Sequence, residues 1–226
     1  MDSSFDNQFK EIQGLKWLPW VGENYNSLPQ QYKMFVIGES HYYDGTEKNL
    51  IDINQIDTTR EVIEDMAIDR NYYGTKIFPN FHRTLFNNDS FDSKSFWNLI
   101  PFYNFIQRPM DTAKGRPTYE DYFNGWKVFF ELHKILKPNI CLFIGTSYPN
   151  SLNHALIDTN LKIDGIKQED WISNAYAKST RFHQLNIETE MVFIRHTSQM
   201  YPWTKWNEYL NKRLKNQIDW LNKTIK

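Results

Sequence analysis

Three short apolar runs, Met34 to Ile37, Ile140 to Ile144 and Met191 to Ile194, are continuous rather than alternating. A strand covered on both faces needs apolar side chains at every position, so each run predicts a buried strand of a parallel sheet. Two of the runs lead into glycine, at Gly38 and Gly145, and the third into Arg195-His196. A fourth candidate strand, Leu99 to Ile106, is interrupted by Pro101. The segment Phe182 to Ile187 alternates roughly, as an added or edge strand would.

Between these runs the apolar period changes from continuous to helical. From Thr118-Tyr119-Glu120-Asp121, which resembles a capping box with Asp in the last position, apolar residues recur at three and four through Tyr122, Trp126, Phe129, Phe130, His133 and Leu136. Lys137-Pro138 ends that helix. Thr59 to Asp69 and Ser147 to Leu156 are shorter helix candidates. A C-terminal helix from about Thr204 carries Trp206, Leu210, Leu214, Ile218 and Leu221 on one stripe. Strands alternating with helices predict an α/β protein, a three-layer α/β/α sandwich around a mainly parallel sheet of four to five strands. No repeat, low-complexity tract or linker divides the chain, so residues 1–226 are expected to form one domain.

Composition narrows the function classes. The formal net charge is −1, which excludes a globally basic nucleic-acid coat but not a local basic groove. The single cysteine, Cys141, lies inside an apolar strand, so neither a disulfide framework nor an iron–sulfur cluster is available. The polar, acidic start Met1 to Asp6 is unlike a signal peptide, and no apolar run approaches the roughly 20 residues needed to cross a bilayer. A soluble, cytoplasmic and monomeric protein is the expectation. Aromatic residues make up 16% of the chain, including eight Trp, which suits stacking on a nucleobase as well as a core. The histidines His82, His133, His154 and His183 show no ligand spacing, so no metal is expected, nor any cofactor; His133 sits on the apolar side of its helix.

Ligands of open parallel sheets gather beyond the carboxyl ends of the strands. Four segments lie there: Gly38-Glu39-Ser40-His41-Tyr42, Phe102-Tyr103-Asn104-Phe105-Ile106-Gln107, Gly145-Thr146-Ser147 and Arg195-His196-Thr197-Ser198-Gln199. These segments resemble, in order and spacing, the motifs of the uracil-DNA glycosylase superfamily. Gly38 to Tyr42 is similar to the loop after the first strand, and Asn104 to the residue that reads the base edge. Leu136-Lys137-Pro138 through Gly145 matches the connection to the next strand. His196-Thr197-Ser198 resembles the closing His-Pro-Ser. The anchors span Met34 to Ser198. Two departures stand out. Ser40 occupies the place of the water-positioning Asp, while His41 and Thr197 replace prolines.

The resemblance implies a uracil-DNA glycosylase-like fold and hydrolysis of the N-glycosidic bond of a damaged or deaminated base in DNA, with the base flipped into a pocket. His196 would donate a hydrogen bond to the departing base, and Asn104 would read its edge. Tyr42, Tyr43 or Phe102 would stack on it, and Gly38 and Ser198 would border it. Glu39 or His41 would take over water activation, with Ser40 beside them. Phosphates would meet Arg108, Lys114 and Arg116, and also Thr146 and Ser147. Each residue also has a plainer reading: Glu39 as a loop-amide acceptor, Asn104 as a strand-edge amide, His196 as a structural histidine, and the Gln107 to Arg116 loop as a solvated connection. Two other functions remain open, namely a catalytically silent nucleobase or nucleic-acid binding module and an enzyme of a small nucleoside-like ligand. Ser40 beside His41 lacks the Gly-x-Ser-x-Gly elbow of a serine hydrolase, and the Gly38 loop lacks the Lys-Ser/Thr ending of a phosphate-binding loop.

Overall fold

The computed structural model describes residues 1–43, 45–46, 52–111, 115–157 and 159–225. Its centre is a seven-stranded sheet. β1 (Met34–Gly38), β2 (Phe102–Asn104), β3 (Ile140–Ile144) and β7 (Ile187–Ile194) are parallel neighbours in the order β2-β1-β3-β7. β6 (Ala175–Gln184) is antiparallel to β7, and its other edge carries β4 (Lys162–Ile163) and β5 (Lys167–Ile172) end to end. Only β6 therefore runs against the common direction.

Every residue of β1 and β3 is buried, as their unbroken apolar runs require. Alternate side chains feed two cores. Met34, Val36, Leu142, Ile144, Val192 and Ile194 face α3 (Ile77–Phe86), α4 (Ser93–Trp97), α7 (Trp203–Arg213) and α8 (Lys215–Thr224). Phe35, Ile37, Cys141, Phe143, Met191 and Phe193 face α1 (Asp6–Lys10), α5 (Tyr119–Leu136) and α6 (Pro149–Ala155). Two apolar faces, each sealed by helices, make the α/β/α layering a consequence of where the side chains point. Cys141 is buried in the second core, where burial pushes its thiol pKa up and leaves it an apolar residue in effect. Among the described residues no helix is long and apolar enough to cross a membrane.

The sheet is wider than the expected four to five strands. Leu185 and Asn186, both with positive φ, make a two-residue turn between β6 and β7. The segment Phe182 to Ile187 is thus the turn end of a long hairpin rather than a separate edge strand. A left-handed Leu carries no turn signal in sequence. α5 begins in the expected capping box, in which Thr118 Oγ1 accepts from the Asp121 amide at 3.2 Å and Asp121 Oδ2 accepts from the Thr118 amide at 2.7 Å. The Thr59 to Asp69 helix splits into α2 (Thr58–Val62) and a widened turn over Ile63–Ile68, where the Asp69 amide reaches back five residues to Glu64 O. The C-terminal stripe is interrupted at Leu214, whose extended φ of −118° divides α7 from α8.

Three imidazoles are locked inside. His41 Nε2 lies 2.9 Å from Thr59 Oγ1, Trp97 Nε1 donates to His82 Nε2 at 3.2 Å, and His133 bonds Gln184 Oε1 and Thr189 Oγ1 at 2.7 Å each. Burial lowers their pKa values from 6.5 to about 4, about 3 and about 4 respectively. The unfolded chain therefore binds protons that the native state refuses, and stability falls as pH drops below 6.5. Denaturant titrations across pH are expected to give constant stability above about 7 and a loss of about 1.4 kcal/mol per histidine per pH unit between 6.5 and 4. A flat profile through that window would show that the rings take up protons in the fold.

Candidate functional site

Register brings the strand ends level. Gly38 pairs with Asn104 across β1 and β2, Ile37 with Phe143, and Ile144 with Ile194. The chain leaves all four strands at one rim, where a cleft of about 960 Å³ opens toward α2 and α3. Gly38, Glu39, Ser40, His41, Tyr42, Phe102, Asn104 and His196 all line it, so eight of the residues singled out in sequence meet in one place.

The loops are stitched together by backbone. Phe105 N donates to Gly38 O, Ile106 N to Glu39 O, Met110 N to His41 O and Tyr43 N to Met110 O, all at 2.8–2.9 Å. Phe102 is held from its other side by Trp20, through a reciprocal pair of 2.9 Å bonds. Gly38 permits a close crossing: a Cβ there would lie 2.3 Å from Asn104 Oδ1 and 2.6 Å from Phe102 Cζ. Asn104 is 6% exposed, and its side-chain amide makes no hydrogen bond among the described residues. The amide lines the open cleft, so its donor and acceptor positions are available to water or to a ligand there.

Glu39 is half-buried between two phenols. Tyr122 OH donates to Oε1 at 3.2 Å, and Tyr42 OH to Oε2 at 3.5 Å. Burial and the Glu39 charge raise the Tyr122 pKa, so the phenol stays a donor. Tyr122 belongs to the apolar stripe of α5, and nothing local in sequence distinguishes it from its neighbours. His196 is half-buried. Burial lowers its pKa, the Glu39 carboxylate opposes that shift, and the charges of Arg116 and Arg195 reinforce it. His196 is therefore neutral near pH 7. The turn after it hangs on Asn80 of α3, whose Nδ2 donates to Thr197 O and Ser198 O at 3.0 Å each. Asn80 is a positioning residue that the sequence motifs did not reveal.

Other candidates take different places. His41 is 7% exposed, bonded to Thr59 and edge-on to Trp17 at 4.8 Å, so its ring serves packing. The Ser40 hydroxyl is buried with no partner of hydrogen-bonding geometry. The Ser198 side chain is exposed outside the cleft. Arg108 turns to another groove, where its guanidinium makes a two-pronged pair with Asp121 at 2.6 and 2.7 Å. Arg116 is exposed near His196, and Lys114 lies outside the described residues. Thr146 O accepts from Lys178 Nζ at 2.7 Å, and Ser147 is exposed beside the Tyr122 hydroxyl. The β5–β6 hairpin overhangs the end of β7 at this same rim and exposes an edge-on pair, Trp171 and Tyr176, with centroids 4.6 Å apart.

Among the described residues no three His, Cys, Asp or Glu side chains come together as a metal-binding set. No known family model matches the sequence, and no curated protein matches it.

Replacing Gly38 with Ala is expected to push Asn104 and Phe102 out of the cleft wall. Denaturation should report a loss of about 1–3 kcal/mol, and the cleft should lose ligand affinity. Unchanged stability would mean that the two side chains move aside freely.

Proposed function

We propose that the protein is a hydrolase of the uracil-DNA glycosylase kind, cleaving the N-glycosidic bond of a damaged or deaminated base in DNA. The observation that carries this reading is the meeting of a neutral His196, a phenol-held Glu39 and the unbonded amide of Asn104 in one cleft at the strand ends. The motif order in sequence supports the same family and fold. Glycoside cleavage leaves an oxocarbenium-like sugar and a base that carries away the bonding electron pair, so catalysis needs a donor toward the base and an anion near the sugar.

In this reading His196 donates to the departing base without changing its own protonation state. Glu39, fixed by Tyr42 and Tyr122, faces the sugar, stabilises the developing cation and takes a proton from the attacking water. Asn104 offers a donor and an acceptor to the base edge, while Phe102 and Phe78 supply apolar ring surface. Arg116 and the exposed Trp171–Tyr176 pair are the contacts best suited to a nucleic-acid strand outside the cleft. Ser40 in place of an aspartate favours a second reading, a base-binding module without turnover.

Abasic-site formation on single- and double-stranded oligonucleotides carrying a panel of deaminated and alkylated bases tests the proposal. His196→Ala and Glu39→Gln are each expected to slow base release by about 100-fold or more. Because burial lowers the His196 pKa, the acid limb of the wild-type pH–rate profile is expected to lie at lower pH than that of an exposed imidazole. Folded protein that binds such oligonucleotides and releases no base would establish the binding module instead.

A further inference from the structure

The charged side chains that line the cleft are carboxylates, while Arg116 and Arg195 act on His196 from outside the lining. Glu39, Asp52, Glu61 and Asp65 line the cleft, and no Lys or Arg is found among its described lining residues. Asp65 is held as an acceptor by Asn71 Nδ2 at 2.7 Å and Tyr73 OH at 3.2 Å, much as Glu39 is by its tyrosines. Aromatic faces stand among these acids, at Phe78, Phe102 and Tyr73. The amide of Asn104, 6% exposed and unbonded among the described residues, faces the same space.

This field penalises an anion. A base such as uracil departs with negative charge, which here would develop beside the half-buried Glu39 and Asp65, with the exposed and more strongly screened Asp52 and Glu61 at the rim. A purine nucleoside alkylated at N3 or N7, or an adenosine alkylated at N1, is different, because it enters as a cation. Aromatic faces and carboxylates are the two protein surfaces that favour a cation most. We infer that the cleft selects a cationic, N-alkylated purine, placed between its acidic wall and aromatic rings with the Asn104 amide on the base edge.

For the chemical step the inference rests on the hydrolase reading; for binding it does not. The C1′–N bond breaks heterolytically and its electron pair neutralises the purine, so the positive charge passes to the sugar without leaving the cleft. Water adds to C1′ and gives one proton to Glu39. The products are a neutral alkylpurine, an abasic sugar and that proton. No proton need be supplied to the leaving base, which suits a histidine that is neutral.

Calorimetric titration with 1-methyladenosine, a cation at neutral pH, against N6-methyladenosine, its neutral isomer, tests the selection directly. The same two bases within a short single strand separate a free nucleoside from a nucleic-acid ligand. Binding of the cation is expected to be at least about tenfold tighter. The preference should shrink by about threefold or more in Asp52→Asn/Glu61→Gln, and it should shrink with added salt. Equal affinity, preference for the neutral isomer, or no binding of either overturns the inference. Base release from methylated and from uracil-containing DNA is scored separately. Selectivity without release removes the hydrolase reading alone, whereas release of uracil but not of methylpurine removes the selection alone.

Discussion

At the end of β1 the backbone of Gly38 passes so close to the side chains of Asn104 and Phe102 that no β-carbon would fit between them. That crossing depends on two parallel pairings, β1 with β2 and β1 with β3, which bring Gly38 level with Asn104 on one side and with the end of β3 on the other. β3 in turn fixes the end of β7, and with it His196. A shift of one residue in any pairing would turn the strand-end side chains to the opposite face. The cleft is thus a product of register, and register is held by two apolar cores that leave each strand one way to face.

Electrostatics divide the molecule into two environments. Inside, His41, His82 and His133 are held neutral by burial, and each has at least one ring nitrogen bonded to a neighbouring side chain. At the cleft the acids are held by donors instead: Glu39 accepts from Tyr122 and Tyr42, and Asp65 accepts from Asn71 and Tyr73. His196 stands at the boundary, near enough to Glu39 to feel its charge and buried enough to stay neutral. That combination suits a reaction in which positive charge moves and no proton has to be driven onto the base.

The strand cores and the strand-end residues were legible because continuous apolar runs report burial on both faces, and because parallel sheets put their sites at one end. That ground alone names the four strand-end segments, and the family resemblance picks Glu39, Asn104 and His196 out of them. Residues that act across the fold could not be named in this way. Tyr122 is one aromatic among many on α5, Asn80 lies on a helix with no marked cap, and the acids that join Glu39 come from α2, the segment before it and the widened turn after it. Arg108 reads in sequence as a phosphate contact, yet Asp121 claims it in a different groove. Phe182 to Ile187 reads as a separate edge strand because the left-handed Leu185-Asn186 turn inside it has no sequence mark.

The central claim is that Asn104 and His196 face one ligand across the cleft at the strand ends. Nitrogen-15 NMR of the Asn104 side-chain amide and the His196 ring, followed during titration with an N-methylpurine nucleoside, tests it most directly. Both signals are expected to shift together with a single affinity, while the Arg108–Asp121 groove stays unchanged. Shifts confined to that groove, or movement of one of the two residues without the other, would contradict the account.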